Sequence, residues 1–100
     1  MTRVLLTGFE PFDGDDLNPS WEVARALDGE RLGNATVQSL QLPCVFGRAR
    51  EVLWQTLASG HFDVLLSLGL SPNRPDLTVE RIAINVDDAR IPDNAGQQPV

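Results

Sequence analysis

Residues 62–70, FDVLLSLGL, form a near-continuous apolar run of strand length. The run is far too short to cross a bilayer. As a strand it needs cover on both faces, which predicts the centre of a parallel sheet with helices on either side. The rest of the chain fits that demand. Residues 3–7 (RVLLT) read as a short buried strand that stops at Gly8, and 34–43 (NATVQSLQLP) as a second strand ended by Pro43. Between them, NPSWEVARALDGE carries helix signals at both ends: Asn18 suits an N-cap, Pro19 the first helical position and Gly29 the stop. Trp21, Ala24 and Leu27, with Val23 beside them, form its apolar stripe. GRAREVLWQTLASG is the clearest helix, with Ala49, Val52, Leu53, Thr56 and Leu57 at helical spacing and Gly60 after them. LTVERIAINV, residues 77–86, reads as a fourth long strand, followed by a polar loop to Val100.

The predicted order β-α-β-α-β-β argues for a layered α/β domain with a mostly parallel twisted sheet. No repeat or low-complexity linker divides the 100 residues. They end in a loop rather than a closing element, so the expectation is part of one domain, with an open sheet edge if it stood alone.

Charge and composition remove several function classes. The net charge is −6, the eight basic residues are all Arg, and no basic cluster forms a nucleic-acid footprint. The N-terminus, MTRVLLTGFEPF, lacks a signal-peptide pattern, which makes the cytoplasm the expected compartment. One Cys forbids an internal disulfide, and one Cys with one His cannot build a zinc site of ordinary spacing. No metal or cofactor is expected. Gly8 after a strand invites a nucleotide-loop reading, but TGFEPFDG has neither G-x-G-x-x-G nor Gly-Lys-Ser/Thr.

Some residues have both structural and chemical readings. On the predicted fourth strand, Glu80 heads a face otherwise made of Ile82, Ile84 and Val86. A carboxylate buried there is costly unless paired. It could pair with Arg81 or Arg90, sit at the water line, or orient a catalytic imidazole as the third member of a triad. Arg90 could pair with Asp87, Asp88 or Asp93, or stabilise developing negative charge. Phe9 and Phe12 could plug the core end or wall a small-ligand pocket at the C-terminal end of the first strand. Cys44 reads as a small packed thiol. As a nucleophile it would need His61, which lies in a helix-to-strand turn at the opposite end of a parallel layer.

LLTGFEPFDGDDLNPSWEVARAL, LPCVF and ERIAINVDDARIPDNAGQQPV together resemble the N-terminal half of the pyroglutamyl-peptidase I (pyrrolidone-carboxylate peptidase) family, in order and spacing, over essentially all 100 residues. The resemblance implies an α/β/α-sandwich cysteine peptidase. Such an enzyme removes N-terminal pyroglutamate from peptides through a Cys–His–Glu triad, without metal or cofactor. It implies that Glu80 is the triad carboxylate, although Val79 replaces the usual Pro before it. Arg90 takes the place of the active-site Arg, and Phe9 and Phe12 that of the aromatics around the pyrrolidone ring. Asn18 and Ile91 match positions near the substrate pocket, and Cys44 matches a pocket wall rather than the nucleophile. Leu70 stands where many members have Gln, so only a backbone contact could survive there. The implied nucleophilic Cys and catalytic His belong to the second half of a chain roughly twice this length, still an ordinary single domain. Residues 1–100 alone are therefore expected to be inactive. The implied partner is a peptide beginning with pyroglutamate, with room left for a homo-oligomer. A non-catalytic binding module on the same scaffold, and a different α/β hydrolase using Cys44, are the competing readings.

Overall fold

The computed structural model describes residues 1–71, 76–80, 83 and 89–100. In chain order its elements are β1 (Thr2–Phe9), α1 (Pro19–Leu27), β2 (Arg31–Leu32), β3 (Ala35–Leu42), α2 (Arg48–Ser59) and β4 (Val64–Ser67). They form an open mixed sheet with strand order β2-β3-β1-β4. β1 lies parallel to β3, from Thr2 opposite Ala35 to Phe9 opposite Leu42. It also lies parallel to β4, from Val4 opposite Val64 to Thr7 opposite Ser67. β2, which the sequence pattern does not announce, adds a two-residue antiparallel hairpin arm on β3, turned at Gly33 with φ of 60°.

Side-chain alternation along β1 explains the layering. Leu6 packs with Ala24 and Val37, and Trp21, Leu27 and Leu68 close around them. Leu5 and Thr7, on the other face, are completely buried. The expected stripe of α1 therefore faces the core at Trp21, Ala24 and Leu27, whereas Val23 is half exposed. Asn18 caps α1 as its pattern predicts: its Oδ1 accepts the Ser20 N–H at 3.0 Å.

Gly8 corrects the sequence reading. It does not end the first strand but lies within it, and Phe9 is the last strand residue rather than a loop residue. A Cβ on Gly8 would sit 2.5 Å from the Ser20 carbonyl oxygen. Glycine is needed because the start of α1 crosses directly over this strand, not because the chain turns. The crossing is bolted by the Phe9 N–H, which donates to Ser20 Oγ at 2.9 Å.

β4 shows the open edge expected of a partial domain. Its apolar run was expected at the centre of a doubly covered sheet. Among the described residues it is the edge strand, and Val64, Leu65 and Leu66 are exposed. α1 packs on β1 and β3, α2 packs on β3, and neither lies against β4.

Of the predicted strand 77–86, residues 77–80 and 83 are described and belong to no strand; Arg81, Ile82 and residues 84–86 lie outside the described residues. Glu80 is exposed rather than buried. A carboxylate is desolvated only where apolar surface closes over it, and its neighbours Leu77 and Val79 are themselves exposed. No helix among the described residues is long and apolar enough to cross a membrane.

Candidate functional site

Parallel strands deliver their following loops to one end of the sheet, where open α/β sheets place ligands. Here the end of β1, the loop from β3 to α2 with the first turn of α2, and the segment around Asp93 meet. They enclose a cleft of roughly 290 Å3, near the lower end of small-molecule sites. Phe9, Pro43, Cys44, Val45 and Phe46 make its apolar wall, with Ala49, Arg50 and Asp93 completing it.

Four polar side chains hold these segments together. Glu10 Oε1 accepts the Cys44 backbone N–H at 2.9 Å and the Asn94 Nδ2 at 2.9 Å. Asn94 Nδ2 also donates to the Pro11 carbonyl at 2.9 Å, and the Asn94 N–H to the Cys44 carbonyl at 3.0 Å. Asp93 Oδ2 accepts the Phe46 N–H at 2.7 Å, while its Oδ1 accepts the N–H groups of Ala95 and Gln97. Asn18 joins from below: its Nδ2 donates to the Glu10 carbonyl at 3.2 Å and its Oδ1 accepts Ser20 Oγ–H at 2.8 Å.

The electrostatics of the cleft follow from this arrangement. Burial pushes the Cys44 thiol above its ordinary value, and the Glu10 and Asp93 carboxylates push it further. Burial also pushes the Asp93 carboxyl up, but N–H donors from Phe46, Gln97, Ala95 and Gly96 outweigh it, so the acid is held below the ordinary carboxylate range. A thiol kept protonated between two carboxylates is a poor nucleophile.

Topology gives the same answer. His61 sits before β4, at the N-terminal end of the sheet, where its Nε2 lies 3.5 Å from Asp63 Oδ1. Cys44 follows the C-terminal end of β3. The eight-residue strands between the two ends span roughly 25 Å at about 3.3 Å per residue. Cys44 and His61 do not form a dyad.

Of the residues singled out from sequence, Phe9 and Cys44 line the cleft. Phe12 and Ile91 are half-buried nearby in sequence but outside its lining. Asn18 is 2% exposed and has its amide engaged at the cap and at Glu10. Leu70 lies beyond the C-terminal end of β4 and is exposed, as is Arg90, whose carbonyl accepts Gln98 Nε2 at 3.0 Å. The sequence reading missed Glu10 and Asn94, and gave Asp93 only as a partner for Arg90. Their signal was present: Glu10 is the lone charge inside GFEPF, and Asp93 opens the turn DNAG, where Gly96 has φ of 83°. Among the described residues no group of three or more His, Cys, Asp and Glu could hold a metal ion.

A sequence model of the pyroglutamyl peptidase family matches residues 2–100. A pyrrolidone-carboxylate peptidase of Chromobacterium violaceum is 56% identical over the whole chain, which covers 48% of that relative. One from Klebsiella pneumoniae is 55% identical, again over the whole chain and 47% of the relative. The crystal structure of pyroglutamyl peptidase I from Bacillus amyloliquefaciens superposes with a TM-score of 0.96 at 44% identity, covering all of this chain and 48% of that one. The chain thus spans about half the length of the curated relatives it matches.

Proposed function

The chain belongs to the pyroglutamyl peptidase family, and from that premise we propose that its gene's full product removes N-terminal pyroglutamate from peptides with a cysteine nucleophile. The match of residues 2–100 to the family carries the reading. The cleft supports it. Pyroglutamate has no free α-amine, so its pocket needs no carboxylate to hold an ammonium; an apolar slot with a few amide partners suits a flat lactam. Phe9 and the Pro43–Phe46 loop offer that slot. Phe12, Asn18, Cys44, Leu70 and Ile91 are assigned to the substrate pocket, and Arg90 to charge stabilisation at the reacting carbonyl.

Glu80 is assigned the carboxylate role of a Cys–His–Glu triad, orienting the imidazole and stabilising its cation. The thiol and imidazole come from outside residues 1–100. The raised Cys44 thiol and the distant His61 speak against an alternative dyad inside this segment. Residues 1–100 alone therefore lack activity, and the reaction runs in the cytoplasm on a metal-free protein.

The test is release of a fluorescent amine from its pyroglutamyl amide under reducing conditions. The full product hydrolyses it, alkylation of thiols stops it, and the 100-residue chain is silent. Glu80→Gln lowers kcat by about 10³-fold or more with little change in KM. Activity in the short chain, or near-normal turnover in Glu80→Gln, would show the assignment of roles to be wrong.

A further inference from the structure

We propose that Glu10 is a positioning residue that sets the width of the cleft, and with it the affinity for the lactam ring; this rests on the pyroglutamyl reading above. One residue here ties four segments. The Glu10 N–H donates to the Leu42 carbonyl at the end of β3, and its carbonyl accepts Asn18 Nδ2 at the start of α1. Its Oε1 accepts from Cys44, 34 residues away, and from Asn94, 84 residues away. Both side-chain bonds converge on one oxygen.

The segment around Asn94 belongs to no helix or strand. Its seat against the Pro43–Phe46 wall is therefore made by individual hydrogen bonds: those of Glu10 and Asn94, and the Asp93 grip on the Phe46 N–H. Phe9, which precedes Glu10 in the chain, lines the cleft together with Cys44, Phe46 and Asp93. Removing the Glu10 carboxylate takes the acceptor from the Cys44 N–H and one of the two acceptors from Asn94 Nδ2. The Asn94 N–H bond to the Cys44 carbonyl and the Asp93 grip on Phe46 remain, so the cleft lining loosens rather than comes apart. Hydrogen bonds to an ionised acceptor are the strong ones, and the part-buried Cys44 N–H left unpaired adds a penalty, whereas the exposed Asn94 amide can turn to water. Glu10 touches no reacting group in this scheme; it acts through Cys44 and Asn94.

The experiment uses the gene's full product and two readouts. Steady-state kinetics on a pyroglutamyl fluorogenic amide should give Glu10→Ala a KM raised about tenfold with kcat within about threefold. Mere partial unfolding lowers the active fraction, and so kcat, without moving KM. Glu10→Gln keeps an amide oxygen for the shared acceptor position and should stay within about threefold of the parent in KM. Hydrogen exchange of residues 43–47 should quicken in Glu10→Ala and remain slow in Glu10→Gln. If Glu10→Ala fails to fold, Asn94→Ala removes one arm from an exposed position and should raise KM about threefold. Parental KM in Glu10→Ala or, failing that variant, in Asn94→Ala, overturns the proposal, as does a Glu10→Gln variant as impaired as Glu10→Ala. An inactive parent enzyme would instead refute the pyroglutamyl reading; exchange at 43–47 would then still show whether Glu10 fixes the wall, and unchanged exchange would refute that too.

Discussion

The two ends of the sheet carry similar chemistry and use it differently. At the N-terminal end, His61 and Asp63 approach to 3.5 Å with side chains 83% and 43% exposed, and Arg3 stacks over Phe62 at 5.1 Å. At the C-terminal end, Glu10, Asn18, Asp93 and Asn94 spend their polar atoms on backbone and side-chain groups from distant segments. The His61–Asp63 ion pair is solvated and worth little to stability; what Asp63 holds is the Arg3 N–H, at 2.8 Å, which ties the start of β1 to the segment before β4. The C-terminal group builds a walled cleft. A His, an Asp and an Arg in proximity do not make a site; convergence of loops fixed from several directions does.

The largest expected effect comes from breaking the foundation of the C-terminal end. Gly8→Val drives a side chain into the Ser20 and Trp21 backbone of α1, where neither strand nor helix can yield cheaply. A loss of about 3 kcal/mol is expected, seen as a lowered denaturation midpoint; an unchanged midpoint would mean α1 can lift from β1. Next is Asn18→Ala, which removes the cap and the donor to the Glu10 carbonyl. It should cost about 1–2 kcal/mol by chemical denaturation, and Asn18→Ser should recover part of that loss.

Acid titration gives a subtler probe. The Asp93 carboxyl is held below its ordinary value of 3.8. Its contribution is therefore complete above that value and fades as pH falls through the lower value of the folded state. The Phe46 amide resonance should report that loss below about pH 4, and Asp93→Asn should abolish the transition. The smallest effect belongs to the other end: His61→Ala should change stability by less than about 0.5 kcal/mol and leave the turnover of the full product unaltered. A large loss of activity would bring the two ends into one site and undo the comparison.

Local structure was largely legible. Asn18 and Pro19 mark the start of α1, and the span 47–60 contains α2 at Arg48–Ser59. The 34–43 pattern contains β3 at Ala35–Leu42. The family was legible as well, because GFEPF and ARIPDN are specific strings. The cover over Glu80 and β4 was not legible: among the described residues both are exposed, and hydropathy along a strand says that a face wants cover, not which element supplies it. Glu10 was missed because its partners lie 34 and 84 residues away, and no periodicity reports contacts at that separation.

The sequence by itself therefore determined the helices, their caps, the mostly parallel α/β class and the membership in a peptidase family. These depend on short-range propensity, side-chain period and local strings. The tertiary structure alone decided why residue 8 must be glycine, which apolar strand lies at the edge among the described residues, and how a carboxylate at residue 10 comes to grip a loop near residue 94. Those features arise when distant backbone groups are brought within hydrogen-bonding or steric reach, and only the packing of α1 and the register of β1 against β3 bring them there.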